Sequence, residues 1–161
     1  MNNKVIKFIS LIQIIGGILG ILISFQFLIL LLLPTNLFIL LVFLLSLIAG
    51  IWLWQEKKLG YLLTYIVQIL QVPYIVTNVI SYSIVSGLQL AFIIEFSSQI
   101  LNLNTRFWIG SNANFSIFNE VPFSALGFNI VPLIIILYLV NYQLKQKRQK
   151  EDKEYVGNVY E

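Results

Sequence analysis

The sequence predicts an all-α membrane protein, a four-helix transmembrane bundle with both termini on the cytoplasmic side. Three observations carry this expectation. The 161 residues contain three long stretches without charge, 8–55, 59–94 and 121–144. Hydrophobic residues make up 58% of the chain and charged ones 11%, about half the charged share of a soluble domain. Nine of the ten Lys and Arg flank those stretches, and only Arg106 stands apart. Bilayer hydrocarbon is about 30 Å thick, and roughly 20 apolar residues cross it as a helix.

The first span is expected over 8–33, ending at the turn-forming Pro34-Thr35-Asn36. Its uncharged length exceeds the apolar core of a signal peptide, roughly 7–15 residues, and no small-residue cleavage site follows, so it is expected to be retained. A second span over 37–54 closes on Trp52 and Trp54, rings suited to the headgroup level. The third is expected over 59–82, because a single helix to Ile94 would be far longer than one crossing requires. A fourth over 123–143 runs into the basic stretch 145–150. Lys4 and Lys7, Lys57 and Lys58, and that stretch then share one side, which the positive-inside rule makes cytoplasmic.

Outside the bilayer lies the segment 83–122. Leu88, Leu90, Phe92, Ile94 and Phe96 alternate with Gln89, Ala91, Ile93, Glu95 and Ser97, the period of a half-buried strand. Two strand-like runs, 101–109 and 114–121, flank Gly110-Ser111-Asn112-Ala113 as a hairpin turn. An amphipathic interfacial helix over 84–96 is the competing expectation. The tail 145–161 is charged, lacks apolar periodicity and is expected to be disordered beyond its first turn.

Composition excludes more than it identifies. With no Cys and no His, thiolate chemistry, disulfides and the commonest metal ligand and proton shuttle are absent. No ionisable residue falls inside an expected span, although proton-coupled transport relies on one. The single Asp, Asp152, lies in the tail. No catalytic, cofactor-binding or metal-ligating residue is therefore nominated, and no basic surface interleaved with stacking aromatics points to nucleic acid.

Two sets of residues remain as candidates. Gly16, Gly20 and Ser24, with Ser46 and Gly50, form small-residue rows that let helices approach closely, within one bundle or across a dimer seam. On a third helix, Tyr61, Thr64, Tyr65, Gln68, Gln71, Asn78 and Tyr82 would share one polar face. Such a face must look toward other helices or a wet cavity. Pro73 and Pro132, at matching depths in antiparallel helices, would add kinks, with Gln26, Asn78 and Asn129 in the same outer half. A small cavity between the third and fourth helices is the sharper expectation, interhelical hydrogen bonding the plainer one.

Three charges, Glu95, Arg106 and Glu120, fall in the external segment, where an Arg106 salt bridge would pin a surface hairpin. Asn114-Phe115-Ser116 matches a glycosylation acceptor, a short pattern with weight only in a eukaryotic secretory pathway. The expected function is that of a non-catalytic integral membrane protein acting through protein or lipid contacts, as an accessory subunit or a homo-oligomer. The alternative is a channel or facilitator for a small neutral or lipidic solute along the polar face. Richness in Ile, Leu and Asn without Cys leans toward a bacterial cytoplasmic membrane.

Overall fold

The computed structural model describes residues 3–30, 34–97, 100–117, 121 and 123–159. Its elements are α1 (Asn3–Leu30), α2 (Pro34–Trp54), α3 (Lys58–Leu70), β1 (Pro73–Val76), β2 (Ile80–Ser97), β3 (Ile100–Ile117), β4 (Ser124–Asn129) and α4 (Ile130–Val159). The all-α four-helix transmembrane bundle is overturned, because a four-stranded antiparallel sheet accompanies the helices. Among the described residues, two helices are long and apolar enough to cross a membrane, over Lys4–Gln26 and Pro34–Trp54.

The expected third span fails at Leu70. Beyond it the chain reads Val72, Tyr74, Ile75, Val76, Thr77, Val79 and Ile80, β-branched and aromatic residues that fit a pleated surface better than a helix. Apolarity alone does not separate the two, and Pro73 lacks the N–H that a helix interior needs. The expected fourth span fails for the opposite reason. Residues 124–129 are strand, and α4 begins only at Ile130. Pro132 falls in the first turn of α4, where its missing N–H has no helical partner to lose. The two prolines mark a helix end and a helix start, not kinks. Gly110 is no hairpin turn either, since β3 runs unbroken through it. The interfacial helix over 84–96 is likewise replaced by β2. The tail is helical to Val159, with Lys147 and Glu151 paired at 3.7 Å one turn apart. The expected end of the first span at 31–33, and Glu120, lie outside the described residues.

α1 and α2 form an antiparallel hairpin locked by small residues. A Cβ on Gly17 would meet Leu47 of α2, one on Gly20 would enter the Phe43 ring, and one on Gly50 would press on Ile14 and the Ser10 carbonyl. α2 ends in a turn at Glu56, a non-glycine residue at φ 55°. From there α3 climbs back for 13 residues, about 20 Å, or two thirds of the hydrocarbon thickness.

Sheet topology follows from a conflict of directions. β1 pairs antiparallel with β2 (Tyr74 opposite Ser83), β1 with β4 (Tyr74 opposite Gly127), and β4 with β2 (Phe128 opposite Phe92). Three straight strands cannot all be mutually antiparallel. β2 therefore reverses between the part that meets β1 (81–83) and the part that meets β4 (91–96). The reversal falls at Gly87, whose φ is +110°, opposite Gly110 of β3 at φ +124°. Only glycine occupies that region without strain. The β2–β3 hairpin is thus a V, and β1 and β4 fill the space between the arms of β2.

The point of the V rests on α1. A Cβ on Gly16 would lie 2.5 Å from the Gly87 nitrogen, so the missing side chain is what allows the contact. Ser111 Oγ donates to the Gly16 carbonyl, and Ser46 Oγ of α2 lies 2.8 Å from Ser86 Oγ. Gly16 is nine residues from Lys7, about 14 Å along the helix and so near mid-span. On the lysine side of this level, α1, α2, α3 and α4 surround a core of Ile6, Ile9, Leu53, Tyr61, Leu139 and Tyr142. Beyond it, α1 and α2 continue beside the sheet.

Candidate functional site

Alternation along the strands sorts the sheet into two faces. Tyr74, Val76, Ala91, Ile93 and Ala125 point inward and form a second core. On the same side β3 carries polar, exposed residues: Asn104 opposite Ile93, Arg106 opposite Ala91, Asn102 opposite Glu95 and Asn114 opposite Ser83. Arg106 Nη1 donates to Tyr74 Oη at 3.2 Å and lies 5.5 Å from the centre of its ring. The expected ion pair of Arg106 with Glu95 is not found among the described residues.

The outward face is apolar. Ile94, Phe96, Leu126 and Phe128 are exposed, and Leu101, Leu103, Phe107 and Ile109 of β3 are 62–71% exposed. The sheet therefore exposes a continuous apolar face, while its other face buries the apolar core at β1, β2 and β4 and carries exposed Asn102, Asn104 and Arg106 on β3. An exposed apolar patch of this kind marks a contact surface for lipid or protein. β1, β2 and β4 each have partners on both edges, whereas among the described residues β3 pairs only with β2. Residues 101–109 of β3 are all exposed.

A layer of buried polar side chains lies where the V meets the helices. Gln13, Ser46, Thr64, Gln68, Gln71, Ser86 and Asn129 are all at most 4% exposed. Thr64 Oγ1 donates to Gln13 Oε1 (3.3 Å), and the Ser86 N–H donates to Gln71 Oε1 (3.0 Å). Asn129 Oδ1 accepts from the Leu90 N–H (3.0 Å) and, as the cap of α4, from the Val131 N–H (3.2 Å). Gln13, Gln68, Gln71 and Ser86 line a cavity of about 130 Å³, completed by Phe8, Ile9, Ile12, Leu88, Val131 and Ile135. A larger cavity of about 500 Å³ lies between β3 and the far halves of α1 and α2, where Ser24, Asn36, Trp108 and Asn112 are among its walls.

The sequence-derived candidates divide accordingly. Gln68, Gln71 and Asn129 belong to the buried layer; Tyr65 Oη sits nearer the lysine end and donates to Gln143 Oε1 at 3.1 Å. Asn78 does not join them, because it sits on the exposed turn between β1 and β2. Tyr82 is in β2 and caps the end of α3 by donating to the Leu70 carbonyl at 2.6 Å. Gly20 and Gly50 serve the α1–α2 contact, and Gly16 and Ser46 serve the sheet. Ser24 bonds back to the Gly20 carbonyl of its own helix at 2.8 Å. Sequence reasoning passed over Gln13, although one amide in an otherwise oily stretch is a signal in itself. No protein-family model, curated protein or solved structure matches this chain.

Proposed function

We propose that this is a non-catalytic integral membrane protein that works by contact, joining a second copy of itself through the free edge of β3. α1 and α2 cross the bilayer, the lysine-bearing end and both termini face the cytoplasm, and the composition fits a bacterial cytoplasmic membrane. The observation that carries the reading is the bare edge at 101–109. Natural edge strands are blunted by lysine, proline or a covering element. β3 has 18 residues, and its sequence holds one charge, Arg106, and no proline. Docking the V on Gly16 brings this edge toward the hydrocarbon, where each unpaired backbone group costs several kcal/mol. A second β3, antiparallel about a two-fold axis, satisfies those groups and continues the apolar outer face, with the polar row of β3 on the other side, across the junction.

The chain has no cysteine, which makes the test clean. Single cysteines placed in turn at 101–109 are oxidised in native membranes. In a two-fold antiparallel pair, equivalent residues separate by about 7 Å for each step away from the axis. Disulfide formation requires Cα atoms within about 7 Å. Dimers are therefore expected at one or two adjacent positions, with a steep fall on either side. A flat profile, or monomer throughout, contradicts the proposal.

A further inference from the structure

Three of the buried amides hold an unpaired donor. Thr64 fixes the oxygen of Gln13 and the Ser86 N–H that of Gln71, while two backbone N–H groups hold that of Asn129. The backbone N–H groups can only donate, so they set the orientation of Gln71 and Asn129 and turn each NH₂ away from the bond, and Gln13 takes the same sense against the Thr64 hydroxyl. Gln13 Nε2, Gln71 Nε2 and Asn129 Nδ2 have no partner among the described residues, and the three residues are 1%, 2% and 1% exposed. An orphan donor buried this way costs about 1–3 kcal/mol. Gln13 and Gln71 face the same cavity of about 130 Å³.

We propose that this cavity binds the carbonyl oxygen of a fatty acyl group, supplied by a phospholipid ester of the lysine-side leaflet. Gln13 and Gln71 donate into it and none of the described lining residues is charged, so an uncharged acceptor fits and a bare anion would lack a countercharge. Depth agrees. Gln13 lies six residues beyond Lys7, about 9 Å along the helix, where headgroup gives way to hydrocarbon and glycerol esters reside. Lys7 itself sits over the Trp54 ring at 5.4 Å, at the level of lipid phosphate. Size agrees as well, since an apolar cavity of about 150 Å³ holds a benzene-sized molecule. That accommodates the ester and its first methylenes, and the remaining chain leaves past Phe8, which lines the cavity and is 62% exposed. The site depends on α1 crossing the bilayer but not on pairing through β3.

The test is binding of three probes to the delipidated full-length protein in detergent, read by native mass spectrometry. The probes are diacyl phosphatidylglycerol, its dialkyl ether analogue without carbonyls, and oleic acid. The ester is expected to bind about tenfold tighter than the ether, the weight of one hydrogen bond to a buried donor. Gln13→Leu should remove that preference. Ile135→Phe, which fills the cavity and leaves the amides intact, should lower ester binding without altering the ether. Oleate held more tightly than either phospholipid would contradict the choice of an uncharged ester carbonyl and overturn the proposal in this form. Equal binding of ester and ether by the original protein overturns the proposal, leaving a lysine–headgroup contact and a cavity that holds water.

Discussion

Two glycines facing each other across the β2–β3 hairpin should differ in their tolerance of a side chain. At Gly87, φ is +110° and a Cβ would strike Ile12. At Gly110, φ is +124° but the nearest atom to a Cβ is Trp108 Nε1 at 3.6 Å, ordinary contact. Gly110→Ala thus meets backbone strain alone, about 1–2 kcal/mol, and Gly87→Ala meets strain plus a clash, about 1–3 kcal/mol more. Thermal unfolding in detergent should rank them in that order. Asn129→Ala removes the cap of α4 and strips the Leu90 N–H of its acceptor; a loss of about 1–3 kcal/mol is expected by the same measurement. The polarity of Gln68 and Gln71 was legible from helical spacing, because Gln68 lies inside α3 and Gln71, its C-cap, keeps a helical backbone. Asn78 was misplaced by the same arithmetic, which carries no information past the last helical residue.

At the level of elements, the first two helices were legible because 23 and 21 residues of high hydropathy leave one option for their length and composition. The end of α3 at Leu70 and the strands β1 and β4 were not. Their residues sit in uncharged runs, and what separates strand from helix there is β-branching and two prolines, weaker signals than charge. The alternation over 88–97 did mark β2, whose partner strands and reversal depend on contacts far apart in sequence. β3 gives a test at this scale. Leu103→Lys places a charge on the outward face beside the bare edge, the device by which natural strands refuse partners. It should abolish crosslinking from cysteines elsewhere in 101–109 while leaving the far-ultraviolet circular dichroism unchanged. Dimers that persist at the original yield would exclude pairing through this strand.

Taken whole, the molecule has helices at the lysine end, a bent sheet at the other, and a polar layer between them at the Gly16–Gly87 contact. Lys57, at the turn between α2 and α3, and Val79, 62% exposed on the turn between β1 and β2, mark opposite ends. In intact cells a membrane-impermeant maleimide should label Val79→Cys, and Lys57→Cys only after the membrane is opened. The most direct measurement is the depth of Ile109, which is 69% exposed and adjoins the point of the V. A spin label on Ile109→Cys in liposomes should relax strongly with oxygen and weakly with a water-soluble nickel chelate, as a site near the bilayer centre does. Strong relaxation by the nickel chelate would put the sheet in water and contradict the account.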